Sequence, residues 1–133
     1  MRVVFKAGDT KQFEHIVTEE DFAHFPNDKV HEVYATFALT RDAEWCTRLF
    51  VLEMKEETEE GIGTYVRVNH QSPALPGSKV VFTGTFRSVV NNEIHCLFEA
   101  HVGERLIAYG ETGQKIMPKA KLKARFDTIR NGG

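Results

Sequence analysis

The feature that most constrains this chain is one long helical pattern followed only by strand patterns. From His31 to about Met54, Val33, Phe37, Ala38, Trp45, Leu49 and Leu52, with neighbouring Tyr34 and Phe50, make a predicted helix apolar on more than one side. Such a helix belongs in an interior. Thr64 to His70 then alternates with period 2, and Lys79 to Val90 is rich in β-branched and aromatic residues, with Val80, Phe82, Gly84 and Phe86 on one face. Glu93 to His101 and Arg105 to Met117 supply two further strands, the last ended by Pro118. Asn91-Asn92 reads as a tight hairpin turn because asparagine tolerates positive φ; Pro76-Gly77 and Val102-Gly103-Glu104 are turn signals as well. Ahead of the helix, Lys11 to Val17 alternates loosely, and Thr18-Glu19-Glu20-Asp21 opens a short helical turn expected to run to Phe25 and Pro26.

A single apolar helix followed by consecutive strands predicts an α+β fold in which a curved antiparallel sheet wraps the long central helix, burying both apolar surfaces at once. A hot-dog, a cystatin-like or another cone-shaped α+β fold all meet that condition. At 133 residues the chain is expected to form a single domain over 1–133, with 118–133 as a basic C-terminal tail. No stretch approaches the roughly 20 apolar residues of a membrane span, and Met1 to Lys6 lacks the apolar run of a signal peptide, so a cytoplasmic protein is expected. Cys46 and Cys96, one in the helix and one in a strand, read as buried free thiols.

The net charge of -2 is unevenly spread. Glu53, Glu56, Glu57, Glu59 and Glu60 crowd one predicted loop, whereas Lys119, Lys121, Lys123, Arg125 and Arg130 face only Asp127 in the tail. That tail is either a solvated surface or an attractor for the phosphates of an anionic ligand. Nucleic acid is not the expected partner, because the chain is slightly acidic and the tail has no aromatic beyond Phe126.

Two residues stand out chemically. Strand alternation places Thr64, Val66, Val68 and His70 on one face, which must point at the helix, so His70 is either a core histidine or a catalytic acid/base. Glu44, between Ala43 and Trp45, is either exposed or a carboxylate that needs a donor. A carboxylate on the central helix and an inward histidine on the strand that wraps it suit attack on a carbonyl. Gly61-Ile62-Gly63 precedes a strand and is no dinucleotide fingerprint, His31-Glu32 starts no zinc motif, and His15, His24, His95 and His101 are dispersed. Neither a metal nor a cofactor is expected.

Val33-Tyr34-Ala35-Thr36, Glu44-Trp45, Gly63-Thr64 leading through Val68 to His70, Pro76-Gly77, Arg87-Ser88-Val89 and Ala100-His101 together resemble the fluoroacetyl-CoA thioesterase-like family of hot-dog proteins. Thr36, Glu44 and His70 are separated by 8 and 26 residues, as in that family, and the resemblance runs over roughly residues 33–117. It implies a hot-dog homodimer that hydrolyses a short-chain acyl-CoA to free acid and CoA. It further implies Thr36, Glu44 and His70 as catalytic residues and Gly63, His70 and Gln114 at the substrate, Gln114 standing where a family member carries an arginine. Phe22-Ala23-His24-Phe25-Pro26 resembles a segment whose aromatics line or lid the acyl pocket, although Asn27, Asp28 and Lys29 are extra residues before Thr36. On an unbroken helix eight residues rise about 12 Å and rotate by roughly 80°, so Thr36 and Glu44 would not touch. Either the helix begins after Thr36, or the two act on different parts of the ligand. A non-catalytic acyl-CoA or small-ligand binding module would keep the same fold; hydrolysis with thiol release separates the two readings.

Overall fold

Helix α1, Thr36–Met54, buries Ala38, Leu39, Asp42, Ala43, Cys46, Thr47, Phe50, Val51 and Met54, a stripe repeating every three to four residues along its whole length. Against that stripe lies an antiparallel sheet of β1 (Thr10–Ile16), β4 (Glu59–His70), β5 (Lys79–Val90), β6 (Glu93–Val102) and β7 (Arg105–Pro118), in the order β1-β5-β6-β7-β4. The computed structural model describes residues 1–25 and 28–132, and the side chains of all of these except 25 and 28–30. This is the hot-dog arrangement, with the sheet wrapped around one long helix. Leu39, Phe82 and Phe98 share one core cluster and Phe50, Phe86 and Ile116 a second, each large side chain contributing about 1.5–3 kcal/mol by leaving water.

The turn between β5 and β6 has φ of 53° at Asn91 and 64° at Asn92, the left-handed pair that a two-residue hairpin needs. Cys46 and Cys96 are buried free thiols, pushed up by burial to about 11 and about 12. The sheet order departs from a simple succession of strands, because β4 pairs with β7 and not with β5, leaving β1 and β4 at the edges.

Several boundaries differ from expectation. The helix starts at Thr36; His31 to Tyr34 belong to β3 (Asp28–Tyr34), which pairs with β2 (Phe22–Phe25). Tyr34 is drawn into an extended conformation by tertiary partners, its N–H donating to the Ala74 carbonyl and its register opposite Phe22. The turn after Thr18 lasts only from Glu19 to Asp21, closed by the Asp21 carboxylate accepting from the Thr18 N–H at 2.9 Å. Glu59 and Glu60 open β4 instead of ending a loop, and the basic tail is a helix, α2 (Lys119–Arg130). Phe37, Trp45 and Leu52 leave α1 exposed on one side, so it is covered on its sheet face only.

Candidate active site

A β-bulge decides which residues of β4 face the helix. Gly63 pairs with Gln114 and Tyr65 with Gly113, so Thr64 is an extra residue that breaks the period-2 count. Val66, Val68 and His70 face the helix as expected, but Thr64 is exposed and Gly63 takes the inward place before it. A Cβ at Gly63 would lie 2.8 Å from Glu44 Oε2, so the missing side chain is what leaves room for the carboxylate. Among the described residues that carboxylate has no hydrogen-bond or ion-pair partner.

Behind Glu44 the main chain is held by Gln114 and by two threonines that the sequence did not single out. The Glu44 carbonyl accepts from Thr47 Oγ1 at 3.1 Å and from Gln114 Nε2 at 3.3 Å, while Thr112 Oγ1 donates to Thr47 Oγ1 at 2.8 Å. Gln114 Oε1 in turn accepts from Arg48 at 3.5 Å, and Gln114 is only 3% exposed. In the protomer, therefore, Gln114 spends its polar atoms on α1. Threonine and arginine at three and four residues beyond Glu44 were the available signal, since those spacings share a helix face.

The other expected site residues meet at the opposite end of β4. Thr36 Oγ1 and His70 Nδ1 lie 2.9 Å apart, joining the first turn of α1 to the last residue of the strand. His70 Nε2 is buried and has no hydrogen-bond partner. Burial lowers the pKa of the ring below its usual 6.5, against an opposing contribution from the Ser72 main chain. A neutral imidazole with one nitrogen tethered and the other unpaired in a dry setting is equipped to take or give a proton. An open hollow of about 550 Å³ adjoins Thr36 and is lined by Ala23, Ala35, Phe37 and Thr40 as well. Of the segment expected to line an acyl pocket, Phe22 is buried in the core. The side chains of Phe25, Asp28 and Lys29, and Pro26 and Asn27 altogether, lie outside the described residues.

The protomer thus keeps two pairs of expected site residues apart. Gly63 with Glu44 and His70 with Thr36 are separated by the seven residue steps from Gly63 to His70 along β4, about 20 Å of strand. Because α1 is unbroken from Thr36, the separation of Thr36 and Glu44 along the helix is that expected.

A second polar cluster, His15, Asp21 and Asp42, brings its ligand-type atoms within 4.8 Å of one another. The place of a cation there is taken by Arg41, which donates to Asp21 at 3.1 Å and to Asp42 at 3.0 Å, while Tyr34 donates its hydroxyl to Asp42. This network ties the turn before β2 to the start of α1.

The sequence model of the fluoroacetyl-CoA-specific thioesterase family matches residues 17–120. A Thermus thermophilus hypothetical protein, a thioesterase superfamily member, is 36% identical, with 98% of this chain and 96% of that one covered and a TM-score of 0.93. A variant of the fluoroacetyl-CoA thioesterase FlK, solved with fluoroacetate, is 21% identical over 94% of this chain and 98% of its own, at a TM-score of 0.84. A hot-dog-like protein from Thermanaerovibrio acidaminovorans is 20% identical over 97% and 95%, at 0.85. Among curated proteins none matches the sequence. No helix among the described residues is long and apolar enough to cross a membrane. A family match over most of the chain, and a relative this similar from end to end, make the chain a thioester hydrolase belonging to the fluoroacetyl-CoA-specific thioesterase family.

Proposed function

We propose that this protein hydrolyses a short-chain acyl-CoA to the free acid and CoA, and that it does so as a homodimer whose two active sites each draw on both subunits. The observation that carries the reading is the separation of Gly63 and Glu44 from His70 and Thr36 along one edge strand. Alone, neither pair contains both the carboxylate and the histidine. An edge strand presents unpaired N–H and C=O groups, and two copies of β4 can satisfy each other's by pairing antiparallel about a two-fold axis. Such pairing lays the start of one strand beside the end of the other. The pleat requires inward residues to oppose inward residues, a condition met with the axis at Arg67, Val66 opposite the partner's Val68 and Tyr65 opposite the partner's Asn69. With Thr64 bulged out, Gly63 then falls opposite the partner's His70, and Glu44 beneath Gly63 comes to the same place.

In that site Glu44 supplies the oxygen nucleophile, either its own carboxylate or a water that it deprotonates. The new C–O bond forms at the thioester carbonyl as the C–S bond breaks, and where the carboxylate itself has attacked, water then hydrolyses the resulting glutamyl anhydride, which frees the acid and restores Glu44. The electron pair leaves on sulfur, and thiolate departure needs little acid help. With the Thr36 hydroxyl donating to Nδ1, His70 Nε2 carries the proton and faces the substrate as donor. The hollow beside Thr36 takes the acyl group; the acetyl-CoA and fluoroacetate held by FlK variants support a short one. Cytoplasmic location fits a CoA ester as substrate.

Thiol release from a panel of acyl-CoA esters is the test. Glu44→Ala should lower kcat by about 10²-fold or more on the best substrate while the melt stays that of a folded protein. Undiminished turnover in Glu44→Ala would refute the assignment. A single turnover in heavy-oxygen water distinguishes the two roles, because only direct attack leaves the label on Glu44.

A further inference from the structure

Helix α2 was read from sequence as a basic tail, and its placement gives it a use. It leaves β7 directly after Pro118, which pairs with Glu59, and the Lys119 N–H donates to the Thr58 carbonyl at 2.9 Å. The helix is therefore anchored at the end of β4 nearer Gly63, the residue that faces Glu44 of α1. Between α2 and the strand lies a groove of about 340 Å³ lined by Glu60, Lys119, Leu122, Lys123, Phe126 and Arg130. Leu122, Phe126 and Ile129 recur at helical spacing, and Phe126 keeps 42% of its surface exposed.

The charges in the groove are unbalanced. Lys123 and Arg130 share Asp127, at 3.6 and 3.1 Å, so one carboxylate serves two cations. Lys119 has no ion pair among the described residues. The single acid in the lining, Glu60, lies 3.7 Å from Arg48 on α1, which offsets its charge. An aromatic face flanked by three cations matches a flat base carrying phosphates, with stacking on Phe126 and the charges on Lys119, Lys123 and Arg130. Glu60 precedes Gly63 by three residues, about 10 Å of strand, which an extended pantetheine arm bridges.

We propose that this groove binds the nucleotide end of the CoA thioester, its adenine on Phe126 and its phosphates on Lys119, Lys123 and Arg130. The inference rests on the acyl-CoA reading above and adds to it where the coenzyme is held. It favours a coenzyme over an acyl carrier protein, whose prosthetic arm has no base to stack.

The experiment compares an acyl-CoA with the N-acetylcysteamine thioester of the same acid, which has the reacting group but no nucleotide. In the full-length double variant Lys119→Glu/Lys123→Glu, and separately in Phe126→Ala, KM for the CoA ester should rise about 10-fold or more at low salt with kcat retained. Kinetics on the truncated thioester should stay unchanged. Adenosine 3′,5′-bisphosphate should compete with acyl-CoA in the wild type and lose that effect in the variants. Unchanged KM for acyl-CoA, or equal losses on both esters, would overturn the proposal, the latter showing a merely structural helix. If wild-type protein cleaves neither ester, the functional reading itself fails and the groove assignment falls with it. If it cleaves both and the bisphosphate never competes, only the groove assignment fails.

Discussion

Gly63 shows how a single absent side chain shapes this site. An alanine methyl there would sit 2.8 Å from Glu44 Oε2, and since that oxygen ends a flexible side chain, the carboxylate would swing away before the backbone yielded. Gly63→Ala should therefore lower kcat/KM by about 10-fold or more through misplacement of Glu44, with Tm close to that of the wild type. A large fall in Tm with normal turnover per folded molecule would show that Gly63 serves the sheet instead. Asp21 makes a different prediction. Burial pushes its pKa up, but the Thr18 N–H, His15 and Arg41 outweigh burial and hold it below the usual 3.8. A depressed folded pKa stabilises the protein above the unfolded value, and that contribution is lost as pH falls from about 3.8 through the folded pKa. Asp21→Asn should accordingly melt below the wild type at pH 7, with the gap closing below about pH 3.8. A gap independent of pH in thermal melts would contradict the ionic role.

At the scale of elements, the helix that must be covered and the strands that cover it were legible because apolar periodicity is strong in both. Lys79–Val90 emerged with the expected bounds. The errors fall where tertiary contacts outweigh local pattern. His31 to Tyr34 carries helix-compatible residues, yet pairing with β2 and the Ala74 carbonyl makes it a strand. The bulge at Thr64 left no mark in the sequence, since a one-residue insertion preserves alternation on each side and changes only which residues face in. Five cations masked the Leu122, Phe126, Ile129 stripe of α2. Thr36, Glu44, Gly63 and His70 were all legible as candidates, Glu44 and His70 from their own chemistry and Thr36 and Gly63 through resemblance. Their separation into two pairs was not, because it depends on the length of β4 and on which strands pair. That edge strand carries its own prediction. Light scattering at micromolar concentration should give the mass of a dimer, and a strictly monomeric protein that still turned over acyl-CoA would exclude the paired arrangement.

At the scale of the whole molecule, we propose that each active site takes Glu44 from one subunit and His70, with Thr36, from the other. Subunit mixing tests it directly. Glu44→Ala and His70→Ala homodimers should each be nearly inactive, since every site in them lacks one group. A hybrid of the two concentrates both defects in one site and leaves the other with an intact Glu44 and an intact His70. Random exchange of equal amounts should thus restore about a quarter of wild-type activity, half the dimers being hybrid and each hybrid having one working site. Native mass spectrometry on the same sample establishes that hybrids have formed. Activity rising to that level as hybrids appear is the predicted result. A mixture rich in hybrids yet no more active than its parents would contradict the account and return the whole site to a single protomer.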